Sequence, residues 1–172
     1  MDQFTVDIFI DEIKRQSLYA LMSYNEMVNV LNDTKGDRSI FWYYTSSFLS
    51  ATANVSKLLG GNKEGTIYNQ RKTIRDYFNL ENDDLMIHVR EVRNAFDHYD
   101  SRIDEWAENV PQRIYITNAI ASKEDIEVQG MSTDNYMRFF NPKTGILSVL
   151  TSEMDIYKAA KELEYLYKFK PE

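Results

Sequence analysis

Seven apolar residues, Leu85, Val89, Val92, Phe96, Tyr99, Ile103 and Trp106, follow one another in alternating steps of four and three. A β-strand changes face at every residue and cannot produce that spacing, whereas an α-helix turns once in 3.6 residues and does. The pattern predicts one amphipathic helix over 83–106, about 36 Å long at 1.5 Å per residue. Asn82 or Asp83 would cap it, and Asp84 would favour its first turn.

The same spacing recurs upstream. Ile10, Ile13, Ala20, Leu21, Tyr24, Val28 and Leu31 predict a helix from Thr5 to Leu31, ended by Asn32 to Asp37. Ile40, Phe41, Tyr44, Phe48, Ala51, Val55 and Leu58 predict a second from Arg38 to Leu59, stopped by Gly60-Gly61. A shorter helix is expected from Ile67 to Phe78, with Ile67, Ile74, Tyr77 and Phe78 inward.

Past Pro111 the texture changes. Arg113 to Ile116 is short and partly β-branched. Tyr136–Phe140 and Ile146–Leu150 flank the turn chemistry of Asn141-Pro142-Lys143-Thr144-Gly145, a hairpin signal. Ser152 with Asp155 resembles a capping box for a last helix, whose inward residues would be Ile156, Ala159, Ala160, Leu163 and Tyr167. The expected fold is mainly α: an antiparallel four-helix bundle over 1–108. A small antiparallel β meander and a closing helix over 109–172 would pack on it as one domain.

Composition narrows the function. The chain has no cysteine, which excludes disulfides and thiolate metal sites. The aspartates lack a histidine pair at metal-ligand spacing, so no zinc centre and no cofactor are expected. No phosphate-binding glycine loop and no Gly-x-Ser-x-Gly elbow occurs. The N-terminus carries acids where a signal peptide carries lysine or arginine, and no apolar run is long enough to span a bilayer, so a cytoplasmic protein is expected. A net charge of −7 argues against a broad, non-specific nucleic-acid surface. It leaves room for a local basic site, and Arg71, Lys72 and Arg75, with Arg90 and Arg102, are candidate RNA contacts.

The most distinctive polar cluster lies on the predicted 83–106 helix. On a wheel of about 100° per residue, Arg93 sits roughly 90° to one side of the apolar stripe and His98 roughly 130° to the other. Asn94 lies between them, with Arg90, Asp97 and Ile87 on the same far face and Met86 on its flank. A polar cluster beside exposed apolar residues suits a homodimer contact built around a site. The stretch also has an ordinary reading. Arg93 and Asp97 are an i,i+4 ion pair, and Asn94 and His98 share that spacing. His88 falls near the stripe and is expected in the core or at its edge.

Arg93-Asn94-Ala95-Phe96-Asp97-His98 resembles the Arg-x(4–6)-His motif of the HEPN domain, with the polar residue often seen directly after the arginine. The continuation to Trp106 looks like that of uncharacterised bacterial HEPN-like proteins. The resemblance covers roughly residues 1–106 and implies a small antiparallel helical bundle. It also implies a metal-independent endoribonuclease of toxin–antitoxin or phage-defence type, acting as a homodimer through the Arg93/His98 helix. His98 would then be the acid/base, Arg93 the phosphate clamp, and Asn94 would orient either the phosphate or His98. An RNA substrate and an antitoxin or other protein partner would follow. The toxins of HEPN/nucleotidyltransferase pairs carry a tyrosine two residues after the histidine; here Asp100 stands there and the tyrosine is Tyr99, so control by adenylylation is not expected. The alternative is a non-catalytic HEPN-like binding or scaffold protein.

Overall fold

A computed structural model describes residues 1–33, 35–61, 66–80, 84–109, 115–122, 125 and 136–171. They are mainly helical, with one small sheet. Contacts divide the chain into two units, Met1–His88 with Ala159–Glu172, and Val89–Lys158.

The first unit is built on α1 (Gln3–Asn32) and α2 (Arg38–Leu59), both within two residues of expectation. Asp2 caps α1: its carboxylate accepts hydrogen bonds from the Thr5 amide at 2.9 Å and the Thr5 hydroxyl at 2.8 Å. Those bonds, the amide first, hold the Asp2 carboxyl below the usual carboxylate range. Asp37 caps α2 through the Ser39 amide, and Gly60 ends it in the left-handed conformation at φ 104°. Arg38 reaches the Val30 carbonyl, Phe48 packs near Tyr24, and Asn54 donates to Gln16, so the two helices run antiparallel. Val6, Ile10, Ile13, Ala20 and Met27 form the buried face of α1; Phe41, Phe48, Leu49, Val55 and Leu59 lie in that of α2. A fully buried Phe such as Phe48 contributes about 2–3 kcal/mol. Ile40, expected inward, is exposed.

The helix expected from Ile67 to Phe78 is instead two short ones, α3 (Thr66–Gln70) and α4 (Lys72–Tyr77). Arg75 is the physical reason. It is only 5% exposed, and its Nη1 donates to the carbonyls of Leu59 at 2.9 Å and Tyr68 at 2.7 Å. The Tyr68 carbonyl thus serves a buried guanidinium, which also stacks 3.5 Å from the Tyr68 ring centre. Ile67, expected inward, is exposed.

The predicted 83–106 helix is broken. Its start, with the proposed caps Asn82 and Asp83, lies outside the described residues. Met86–His88 forms a 3₁₀ turn whose first amides, those of Met86 and Ile87, both donate to the Glu162 carboxylate at 3.0 Å. Ile87 is buried, not exposed as the wheel suggested. His88 is a core residue, as expected, with Nδ1 2.8 Å from the Ser56 hydroxyl.

In the second unit the helical stretch resumes as α5 (Glu91–Asp97) and α6 (Tyr99–Asn109), parted at His98 with φ −114° and ψ 48°. The sheet follows in the order β1 (Ala119–Ile120), β2 (Phe139–Asn141), β3 (Ile146–Val149), β4 (Ser152–Asp155). The expected hairpin is β2–β3, with Phe140 opposite Leu147. β1 pairs with β2 in parallel and lies later than the predicted strand. Of that strand, Arg113 and Ile114 lie outside the described residues, and Tyr115 and Ile116 are not in the sheet.

Ser152–Asp155 is a strand, not the first turn of a helix, so the capping-box reading is corrected. Val149 pairs with Ser152 across a two-residue turn in which Leu150 holds φ 51°. Asp155 is the cap, accepting from the Lys158 amide at 2.8 Å, and α7 spans Ile156–Lys168. Leu166, not Tyr167, completes its buried set. α5 packs on β3 and β4 through Val92 and Ala95.

Gly145 sits at φ 78° beneath the Tyr157 ring, where a Cβ would overlap the ring carbons. The Tyr157 hydroxyl is tied to the Pro142 carbonyl at 2.7 Å, so the ring cannot easily yield. Gly145→Ala is expected to destabilise the protein by about 2–3 kcal/mol through strain and overlap. Glu162→Ala, which strands two amides, is expected to cost about 2 kcal/mol. Urea midpoints check both, and Lys161→Ala, at an exposed position, should leave the midpoint within experimental scatter.

Candidate functional site

Val92 and Ala95 are fully buried, and this sets the rotation of α5. Arg93 consequently emerges at the edge, with its side chain 25% exposed, and Asn94 and His98 face solvent. Those placements agree with the wheel.

The Arg93 Nε lies 3.2 Å from the Asp97 carboxylate, a close ion pair that is not aligned as a hydrogen bond. The His98 amide donates to the Asn94 carbonyl at 2.9 Å and closes the helix. Their side chains make no hydrogen bond to one another, although the spacing allowed one. The His98 imidazole has no hydrogen-bond or ion-pair partner among the described residues. Arg93 and His98 are five residues apart, roughly 140° around a helix, and they make no polar contact within one chain.

The other candidate cations are differently employed. Arg102 is paired with Glu105 at 2.5 Å, and Arg90 is exposed at the start of α5. In the first unit, Arg71 lies over the Phe9 ring at 4.1 Å from its centre, and Lys72 is paired with Asp76 at 2.6 Å. Arg75 is buried on two carbonyls and is not a surface cation at all, so the expected basic turn is reduced to Arg71 and Lys72. Among the described residues no group of three or more His, Asp or Glu gathers as a metal site.

One cluster was missed in the sequence. The Arg138 guanidinium stacks on the Tyr99 ring at 3.8 Å from its centre, with Phe96 at 5.7 Å. The Tyr99 hydroxyl meets the Thr117 hydroxyl at 3.0 Å and that of Tyr115 at 3.1 Å. Trp106 packs edge-on against Tyr115. Burial alone would raise the Tyr99 phenol. The hydrogen bonds with Thr117, Tyr115 and Arg138, together with the Arg138 charge, outweigh burial and hold it below the usual tyrosine value. Tyr115 is pushed the other way, by burial first and then by its bond and charge relation to Tyr99. Nothing local in the sequence signals this cluster, because two helices, the segment before β1 and the segment before β2 each contribute to it.

Comparison of the chain with family models, curated proteins and solved structures gives no match.

Alkaline titration followed by tyrosinate absorbance should show one tyrosine ionising ahead of the rest. Tyr99→Phe should remove that early step, and Arg138→Gln should move it upward. An unchanged titration in both variants would mean that the Arg138–Tyr99 stack does not set the phenol's acidity.

Proposed function

We propose that the chain is a HEPN-like, metal-independent endoribonuclease acting as a homodimer. The observation that carries the reading is the His98 imidazole. It is solvent-facing and without a hydrogen-bond partner among the described residues, one turn from an equally exposed Asn94. A histidine in that state can exchange a proton with substrate.

In the proposed reaction His98 takes the proton of an RNA 2′-hydroxyl. The 2′-oxygen attacks the adjacent phosphorus, and the bond to the 5′-oxygen breaks. The 5′-oxygen leaves with a proton, and a 2′,3′-cyclic phosphate remains. Arg93 neutralises charge building on the phosphate oxygens, and Asn94 orients the phosphate. Arg93 and His98 diverge on one chain, and one imidazole cannot deliver both proton transfers at opposite ends of the phosphate. Two protomers supply both needs.

The Arg93–Asp97 ion pair favours a second reading. A guanidinium already facing a carboxylate, on a chain of net charge −7, suits a non-catalytic binding protein that engages an antitoxin or another protein partner.

Incubation of total cellular RNA with the protein in EDTA separates the two. Cleavage leaving 2′,3′-cyclic phosphate ends is expected, falling by about 10²–10⁴-fold in His98→Ala and comparably in Arg93→Ala. Equal cleavage by wild type and folded His98→Ala, or none by either, leaves the binding-protein reading.

A further inference from the structure

The face of α1 opposite its buried residues carries a second regular pattern. Phe4, Ile8, Asp11, Arg15, Leu18 and Met22 follow in steps of four, three, four, three and four, the heptad spacing of a helix–helix seam. Three of these are large apolar side chains in solvent: Phe4 is 76% exposed, Ile8 52% and Met22 57%. Asp11 and Arg15 are exposed at the centre of the row, and Leu18 is half-buried. Asp11 has no ion-pair or hydrogen-bond partner among the described residues. Arg15 is only loosely paired to Glu12, at 3.4 Å. Burial of the core does not call for this stripe, since Val6, Ile10, Ile13, Ser17, Ala20 and Met27 occupy the other side of the helix.

The row is self-complementary about its midpoint. Turned end over end on a two-fold axis between Asp11 and Arg15, at the level of Ile13 but on the exposed face, a second copy sets Phe4 against Met22, Ile8 against Leu18 and Asp11 against Arg15. Each pairing occurs twice. A parallel alignment would instead face Asp11 with Asp11 and Arg15 with Arg15, which repel. We infer that α1 is a homodimerisation helix, pairing antiparallel with α1 of a second copy of this chain. Apolar contacts lie at the two ends of the seam and two reciprocal Asp11–Arg15 ion pairs at its centre. The occupant is a second copy because α1 itself presents an acid, a base and two apolar ends in the required order. An isologous contact needs nothing else. From Phe4 to Met22 the seam is about 27 Å long. The charge pairs fix direction and register more than affinity.

This contact does not rest on the ribonuclease reading, because neither readout below involves RNA. Light scattering of Asp11→Arg and of Arg15→Asp should each give half the wild-type particle mass, since each variant sets like charges against one another. A one-to-one mixture of the two variants should regain the wild-type mass, because each then supplies what the other lacks. The chain has no native cysteine, which permits a second measurement independent of charge. Mixed Phe4→Cys and Met22→Cys chains should form a disulfide-linked dimer under mild oxidation, and Phe4→Cys alone should not. The inference is overturned if the wild type is monomeric at every concentration, if Asp11→Arg keeps the full mass, or if Phe4→Cys alone cross-links as well as the mixture. The first of these includes capture of the stripe by another protein or a lipid surface in place of a second copy.

Discussion

The antiparallel packing of α1 on α2 is the contact on which the first unit depends. Long helices in water owe most of their stability to burial of one face, not to intrinsic propensity. Here α1 buries Val6, Ile10, Ile13, Ala20 and Met27, and α2 places Phe41, Phe48, Val55 and Leu59 in the core. The shorter elements of that unit are then attached by polar side chains spent on backbone groups. Arg75 joins the end of α2 to α3, Glu162 holds the amides of the 3₁₀ turn, and Tyr165 reaches the Phe78 carbonyl at 2.8 Å. Because one face of α1 suffices for the core, the opposite face keeps an apolar row that the fold does not need.

The second unit works on other terms. α6 has no buried residue. Aromatic and hydroxyl contacts hold it instead: Tyr99 under Arg138 and against Thr117, and Trp106 against Tyr115. α5 is anchored by Val92 and Ala95 on the sheet, and that anchoring turns Asn94 and His98 toward solvent. The candidate site therefore depends on the packing behind α5, while its polar groups contribute little to the fold themselves.

Several elements were legible in the sequence because their signals are local. The bounds of α1 and α2 were read from apolar spacing, from the polar turn Asn32 to Asp37 and from Gly60; the N-caps Asp2 and Asp37 are seen only in the structure. The β2–β3 hairpin follows from Asn141 to Gly145, where a positive φ is needed and glycine provides it. The failures share a cause. Apolar residues in steps of four and three persist from Leu85 to Trp106, yet the backbone is a 3₁₀ turn and two helices. Spacing records which residues are apolar and does not register a break in the backbone: Ile87, off the stripe, is buried, and Ile103, on it, is exposed. The β3–β4 turn was invisible because Leu150 takes the left-handed conformation usually left to Gly or Asn.

Sequence by itself determined the helical class, the two long helices, the hairpin, and the outward direction of Arg93, Asn94 and His98. Each of these follows from side-chain periodicity or from turn chemistry within a few residues. Tertiary structure alone decided that Arg75 leaves the surface for two carbonyls, that Ile87 is core, that Glu162 holds the start of the 3₁₀ turn, and that Arg138 lies on Tyr99. Those contacts join groups from seven to more than seventy residues apart in the chain. A buried polar atom takes whichever partner the packing brings to it, and no local spacing records that choice.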